Sequence, residues 1–307
     1  MEKSMYKLDA GESAFFANQL NHIKASTYDE KNAPVSYREA FPVSAEAEGG
    51  ATEITWRQYK GIGMAKIIAD YAKDFPRTDI GGIEHTVKVK HVGSSYAYSI
   101  LEIRRASMAG VPLEQRRATM CRESIERKLN ALAWNGDAKA QIQGFIKYPG
   151  TSEYTVPATG TGTTKTWATK TGLQMLTDLN GIRGIVLGAT NNMEQIDTIL
   201  VPFPQLELLK NTLIGTASDT TVYEFFKRNN PGIEIMGVRE LDGAGTGGID
   251  MFVAYVRKPT HITFELPIAF EQLDAEKEGM EYKVPAFAGT AGIIMYYPLA
   301  CAWGEGL

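Results

Sequence analysis

From Leu113 to Trp134 the chain runs 22 residues without a glycine or proline. Leu113, Met120, Cys121, Ile125, Leu129 and Leu132 recur at helical spacing along it. Arg122/Glu126 and Glu123/Arg127 stand four apart, each pair worth about 0.2–0.5 kcal/mol on a helix. Pro112 fits a first turn, where its missing N–H costs nothing. Gly136 is placed to cap the end. The pattern predicts a helix over 112–135, about 36 Å long at 1.5 Å per residue. That is about twice the average helix length. A globule of 307 residues has a radius of gyration of about 19 Å. A helix of this length must run through most of such a body and organise what packs on it. Its charged face is read as solvated and carries no site.

Two segments before the helix also look long for the globule. Residues 52–68 read as a strand, with Ile54 and Trp56 alternating against Glu53, Thr55 and Arg57. In 83–92, Ile83, His85, Val87, Val89 and His91 alternate with Glu84, Thr86, Lys88 and Lys90. The polar stretch 69–82, with Pro76 and Gly81–Gly82, turns between them. A 17-residue strand would extend about 56 Å, so the hairpin crosses the globule or projects from it. Low apolar content favours projection, and a projecting hairpin needs a partner. Trp56, Tyr59, Tyr71 and Phe75 are interleaved there with 7 Lys/Arg against 5 Asp/Glu over 52–92. Stacked nucleic acid and a protein surface both fit aromatics in that setting; the near-balanced charge favours protein. Residues 1–50, with 8 acidic and 5 basic side chains and Pro34 and Pro42, are expected to form an extended arm with one short helix around 14–23.

After the helix, the Thr/Gly-rich stretch 151–166 is a plausible boundary. Helical patterns follow near 172–180, 191–197, 204–213 and 220–229. Strand patterns lie near 183–187, 198–201, 233–237, 249–257 and 261–264, and more strands close the chain. The class is α+β, without regular βαβ units.

Chemistry is sparse. The four histidines are His22, His85, His91 and His261, and no HExxH occurs, so no metal is expected. Gly243 to Gly248 reads GAGTGG, a literal GxGxxG. A dinucleotide site needs a helix after that motif, whereas the strand pattern IDMFVAYVR follows. No Walker sequence or GxSxG elbow occurs, and no cofactor is implied. Net charge is −4, which gives no general attraction to nucleic acid. Cys121 and Cys301 lie far apart and form no CxxC pair. No stretch is apolar enough for a signal peptide or a membrane span. The expectation is a protein made in a reducing cytoplasm and not bound to membranes.

The order of parts resembles the tailed-bacteriophage major capsid proteins of the Hong Kong 97-type fold, which encapsulins share. GVPLEQRRATMCRESIERKLNALAWNGDAKAQIQGFIKYPG (110–150) is similar to their long-helix region, with its Trp-Asn-Gly-Asp turn and following Gly-hydrophobic-hydrophobic segment. ILVPFPQLELL (199–209) and TVYEFFKRNNPGIEI (221–235) resemble axial-domain segments. The resemblance implies an N-terminal arm (1–50), an extended E-loop hairpin (51–92), and a P domain (93–150) with its spine helix at 112–135. It implies an axial A domain (151–257) and returning P strands (258–307). It implies a structural protein, not an enzyme, that assembles through pentamers and hexamers into an icosahedral virion shell. Scaffold, portal and decoration proteins are implied as further partners, with packaged DNA contacted non-specifically. Synthesis in the host bacterial cytoplasm is implied too. Trp56, Tyr59, Tyr71, Phe75, Gly243 and Gly245 are the candidate assembly contacts. An encapsulin-like compartment is the close alternative; a cytosolic nucleotide-binding enzyme using Gly243–Gly248 is the alternative of another class.

Overall fold

The computed structural model describes residues 33–68, 70, 75–109, 113–215 and 218–307. The chain divides into two compact units, Met1–Pro34 and Val35–Leu307, and the described helices and strands all lie in the second. The expected helix near 14–23 lies outside the described residues, as do Tyr71 and Pro112.

The long helix runs from Leu113 to Asn135. Cys121, Ile125, Leu129, Ala133 and Trp134 face a buried core. Met120, expected in that stripe, is 61% exposed; the stripe follows 121–125–129–133, leaving Met120 one step off its edge. Glu126 does not pair with Arg122, because Tyr37 and Arg38 take its carboxylate.

The helix ends by a device that explains the Trp-Asn-Gly-Asp motif. Gly136 takes φ +68° and its N–H returns to the Leu132 carbonyl at 2.9 Å. The last carbonyls of a helix have no partner within it. Here the N–H groups of Phe145 and Ile146 donate to the carbonyls of Ala133 (2.8 Å) and Trp134 (2.9 Å). So close an approach needs a second glycine: a Cβ on Gly144 would sit 2.3 Å from the Gly136 nitrogen.

Fourteen strands are described: β1 (Val43–Ser44), β2 (Glu53–Ile62), β3 (Asp79–Lys88), β4 (Lys90–Ser99), β5 (Ser152–Thr155), β6 (Thr198–Pro202), β7 (Glu234–Val238), β8 (Met251–Tyr255), β9 (Ile262–Glu265), β10 (Ile268–Gln272), β11 (Glu276–Glu278), β12 (Glu281–Thr290), β13 (Gly292–Met295) and β14 (Cys301–Glu305). Beyond the short turn α1 (Tyr37–Ala40), the α-helices are α2 (Ile100–Ala109), α3 (Leu113–Asn135), α4 (Gly172–Ala189), α5 (Phe203–Asn211) and α6 (Val222–Asn229).

The strands form a five-stranded sheet β5-β14-β8-β6-β7, a sheet β10-β12-β11 extended by β4 on β12, a small sheet β1-β9-β13, and the β2–β3 ribbon. The helix α3 packs against β4, β12 and β13. The five-stranded sheet is covered on both sides, and β8 shows it in five residues. Met251, Val253 and Tyr255 point into the core shared with α3. Phe252 and Ala254 point into a second core with α4, α5 and α6. That is why β6 and β8 read as unbroken apolar runs. The closing strand β14 lies between β5 and β8, so residues 151–257 complete their sheet only with the chain's last strand.

Three expectations need correction. Residues 183–187 are helical, inside α4, with Ile182 and Val186 turned to the second core; that packing overrides the β-branched pattern. Residues 191–197 are not helical, because Asn191 and Asn192 adopt φ of 50° and 61° and end the helix. The strand over 83–92 is two strands. Inward positions run 85, 87, 89, then shift to 90, 92, 94, so His91 is exposed and does not share a face with His85. Helix α2 has no counterpart among the sequence patterns above, although its start is marked: the Ser99 hydroxyl accepts from the Leu101 N–H at 3.3 Å and Glu102 from the Ser99 N–H at 3.2 Å, a Ser-x-x-Glu spacing that the sequence carried.

Candidate assembly surface

Three regions carry residues of interest. The first is the segment before β1, expected to be part of an extended arm. Residues 35–44 are instead anchored in the core: Tyr37 and Ala40 are fully buried and Phe41 nearly so. One helical turn fits between Pro34 and Pro42. One face of α3 grips it at positions 126, 130 and 134. Glu126 accepts from the Tyr37 hydroxyl and from Arg38, both at 2.8 Å. The Asn130 carbonyl accepts from the N–H groups of Ser36 (3.2 Å) and Tyr37 (3.0 Å). Its amide donates to Glu240 at 2.6 Å. The Trp134 indole donates to the Ser36 hydroxyl at 3.0 Å. Burial, the Glu126 bond and the Glu126 charge push the Tyr37 hydroxyl well above the ordinary tyrosine range. Phe41 packs on Trp134 and Phe145 with ring centroids 5.0 and 4.7 Å away. The sequence signal for this anchor was Tyr37 and Phe41 at helical spacing, masked by two flanking prolines.

The second region is the β2–β3 ribbon. Ten residues pair without a break, from Glu53 opposite Lys88 to Ile62 opposite Asp79. Its base belongs to the body. Trp56 stacks on His85 across the ribbon at 5.2 Å and meets the edge of Tyr296 at 5.9 Å. The Gln58 amide donates to the Tyr296 carbonyl. Trp56 therefore spends its surface within its own chain. Beyond Gln58 every described residue through Ile80 is exposed. Tyr59 is 70% exposed and Phe75 61%. Ile62, Met64, Ile67, Ile80 and Ile83 are exposed with them. An isolated two-stranded ribbon is marginal in water, and this one carries an apolar surface that nothing in the described chain covers. An open cleft of about 650 Å³ lies between the ribbon base and the β1 edge. Glu46, Arg57, Thr260 and Tyr297 line it, and the Thr260 hydroxyl lies 2.9 Å from His261 Nδ1.

The third region is the turn at Gly243–Gly248. Gly243, Gly247 and Gly248 take φ of 63°, 79° and 80°. Gly245 does not, but a Cβ there would lie 2.7 Å from the Ile249 carbonyl oxygen. The turn is tied down. The Gly245 N–H donates to Ile249 (2.7 Å) and that of Gly243 to Asp250 (2.9 Å). Thr246 donates twice to Glu305, and Lys147 reaches both Thr246 (2.9 Å) and Glu305 (2.6 Å). Burial pushes the Glu305 carboxyl up, but Lys147 and Thr246 more than reverse it and hold it below the usual glutamate range. Strand β8 follows, so no helix N-terminus faces the glycines. A phosphate at this turn would meet none of the axial N–H groups of the dinucleotide motif.

Hence the ribbon and the glycine turn are the surfaces of interest that the described chain presents outward. A family model described as major capsid protein matches residues 63–307. The chain belongs to the major capsid protein family. No curated protein matches the sequence. Among solved structures, the capsid of Myoviridae phage XM1 matches with a TM-score of 0.82 at 17% identity, over 95% of this chain and 98% of that one. Mycobacterium phage Adephagia matches at 0.64 and 12%, over 98% and 97%. The capsid of a native GTA particle matches at 0.64 and 11%, over 98% and 99%. At these identities the likeness shows the fold, which is α+β and of the Hong Kong 97 type. As a major capsid protein it is a structural protein of a virion shell.

Proposed function

We propose that this protein forms an icosahedral head through pentamers and hexamers, around DNA, with the β2–β3 ribbon laid over a neighbouring copy. The observation that carries this is the ribbon itself. Its base is fastened by Trp56 and Gln58, and the rest exposes Tyr59, Phe75 and six other large apolar side chains. Apolar surface of that kind marks a contact site. In this reading residues 151–257, completed by β14, are the axial domain, and the β4/β12 pair with α3 is the peripheral one. Many modest contacts per copy then make a closed shell stable. Tyr59, Tyr71 and Phe75 serve as ribbon contacts, and Gly243–Gly248 faces a capsomer axis. DNA is held without sequence preference, and scaffold, portal and decoration proteins bind as accessory partners.

The test is sedimentation and negative-stain microscopy of the full chain expressed alone or with its scaffold. The wild type should give particles of megadalton size. A variant whose loop 63–78 is replaced by Asn-Gly, joining the paired residues Ile62 and Asp79, should give folded subunits without closed shells. A wild-type monomer or dimer would sink the reading, and normal particles from the shortened ribbon would sink the ribbon's role.

A further inference from the structure

The second core holds an amine and a carboxylate that the shell reading does not use. Lys170 Nζ lies 2.6 Å from Asp178 Oδ2, and the two side chains are 0% and 1% exposed. Lys170 closes the short turn Trp167–Thr169, and Asp178 sits in the second turn of α4. Among the described residues Lys170 Nζ has no other hydrogen-bond partner. Asp178 has two more: the Trp167 indole donates to Oδ2 at 2.9 Å, and the Tyr154 hydroxyl lies 3.5 Å from Oδ1.

The walls of the site are aromatic. The Phe252 ring stands 5.6 Å from that of Trp167 and 6.1 Å from that of Tyr154. Tyr154 is pressed onto α4 at Gly181, where a Cβ would lie 2.4 Å from its hydroxyl oxygen. Burial, then the Asp178 charge, holds that phenol above the ordinary tyrosine range, so it keeps its proton. Two charges in so dry a place lose their hydration and regain only part of it from each other. An amide carries neither charge. An amine held against a carboxyl group, with no mobile water between them, also has the proximity that condensation needs.

We propose that Lys170 and Asp178 condense to an isopeptide bond, which staples the threonine-rich stretch before α4 to that helix. Lys170 passes one proton to the carboxylate, and its free amine attacks Asp178 Cγ. The Nζ–Cγ bond forms and negative charge gathers on Oδ2, where the Trp167 N–H meets it. The nitrogen sheds a second proton to Oδ1, with the Tyr154 hydroxyl as relay. The Cγ–Oδ1 bond breaks and Oδ1 leaves as water. The hydrogens of the ammonium end as one amide N–H and the two of water, and nothing is oxidised or reduced. The bond lies within one chain and does not depend on whether copies form a shell.

Mass spectrometry of the full chain under denaturing conditions tests it. The purified protein should be one water lighter than its sequence. Trypsin should not cut after Lys170, so that residues 166–183 emerge as one peptide, also one water short, with no fragment ions from breaks between Lys170 and Asp178. Lys170→Arg and Asp178→Ala should each restore the sequence mass. Tyr154→Phe leaves the pair in place and should slow the loss of water after synthesis by about tenfold or more. The unaltered chain is itself a sufficient test should a core variant fail to fold. A wild type at its sequence mass with ordinary cleavage after Lys170 would overturn the bond and leave a plain ion pair. A loss of water that persists in Lys170→Arg would place it elsewhere in the chain and overturn the bond too.

Discussion

Leu129 and Met120 differ in a way their positions along α3 decide. Leu129 is fully buried in the core with Ile293 and Met295. Leu129→Ala should cost about 2–5 kcal/mol, the transfer and cavity terms together. Met120→Ala should stay within about 0.5 kcal/mol, as exposed positions do. Urea unfolding of disassembled subunits checks both, and equal effects would show that α3 is rotated. Inside the second core, Lys170 and Asp178 form a buried pair at 2.6 Å. The Trp167 indole also donates to Asp178, at 2.9 Å. Nothing in the sequence marked that pair, because Lys170 looked like any loop lysine until α4 brought Asp178 over it.

Turns in this protein hold their elements by close backbone approach. Gly144→Ala should cost about 3 kcal/mol or more, at the upper end for overpacking, because its Cβ would meet the backbone at Gly136, Asn135 and Trp134. Gly136 cannot relieve it, being held at positive φ. Thermal unfolding of the variant against Gly150→Ala, whose Cβ would meet only Pro298 at 3.4 Å, separates crowding from φ strain, since Gly150 has positive φ and Gly144 does not. The glycine turn makes a different prediction. Its Glu305 has a depressed folded-state pKa, so the stability it adds is present above the unfolded pKa of about 4.3 and is lost as pH falls through the folded one. Glu305→Gln removes that contribution. The gap in urea midpoint between wild type and variant should therefore be constant well above about pH 4.3 and narrow progressively as pH falls below it. A gap that stays constant would mean the Lys147–Glu305 bridge adds nothing pH-dependent. Substituting Gly245 by valine would strain the subunit itself, given the 2.7 Å approach to Ile249, so it is a poor probe of assembly.

The two cores share one sheet, and this makes the body between Val35 and Leu307 a single cooperative object. Alternate residues of β8 serve opposite cores, so neither core can melt and leave the other's wall intact. Trp134 lies in one and Trp167 in the other. Urea transitions followed by each tryptophan, with the other three replaced by phenylalanine, should share one midpoint. Separated midpoints would show that the sheet survives loss of one layer.

The helix α3, its glycine stop, the ribbon and the α+β class were legible because each rests on local periodicity or on a residue with restricted or unusual φ. The hairpin was read with a strand over 52–68, but the strand ends at Ile62 and ten residues pair with Asp79–Lys88; Tyr59 and Phe75 are exposed all the same. The anchoring of Tyr37 and Phe41 was not legible, since their burial depends on Glu126, Asn130 and Trp134, about ninety residues away along the chain. The same holds for β14, whose place between β5 and β8 comes from the chain's return, and for 183–187, where helix and strand patterns are locally alike. Local pattern sets an element's type when one periodicity clearly wins. Where two compete, or where a side chain's partner is distant in sequence, only the packed structure supplies the energy that chooses.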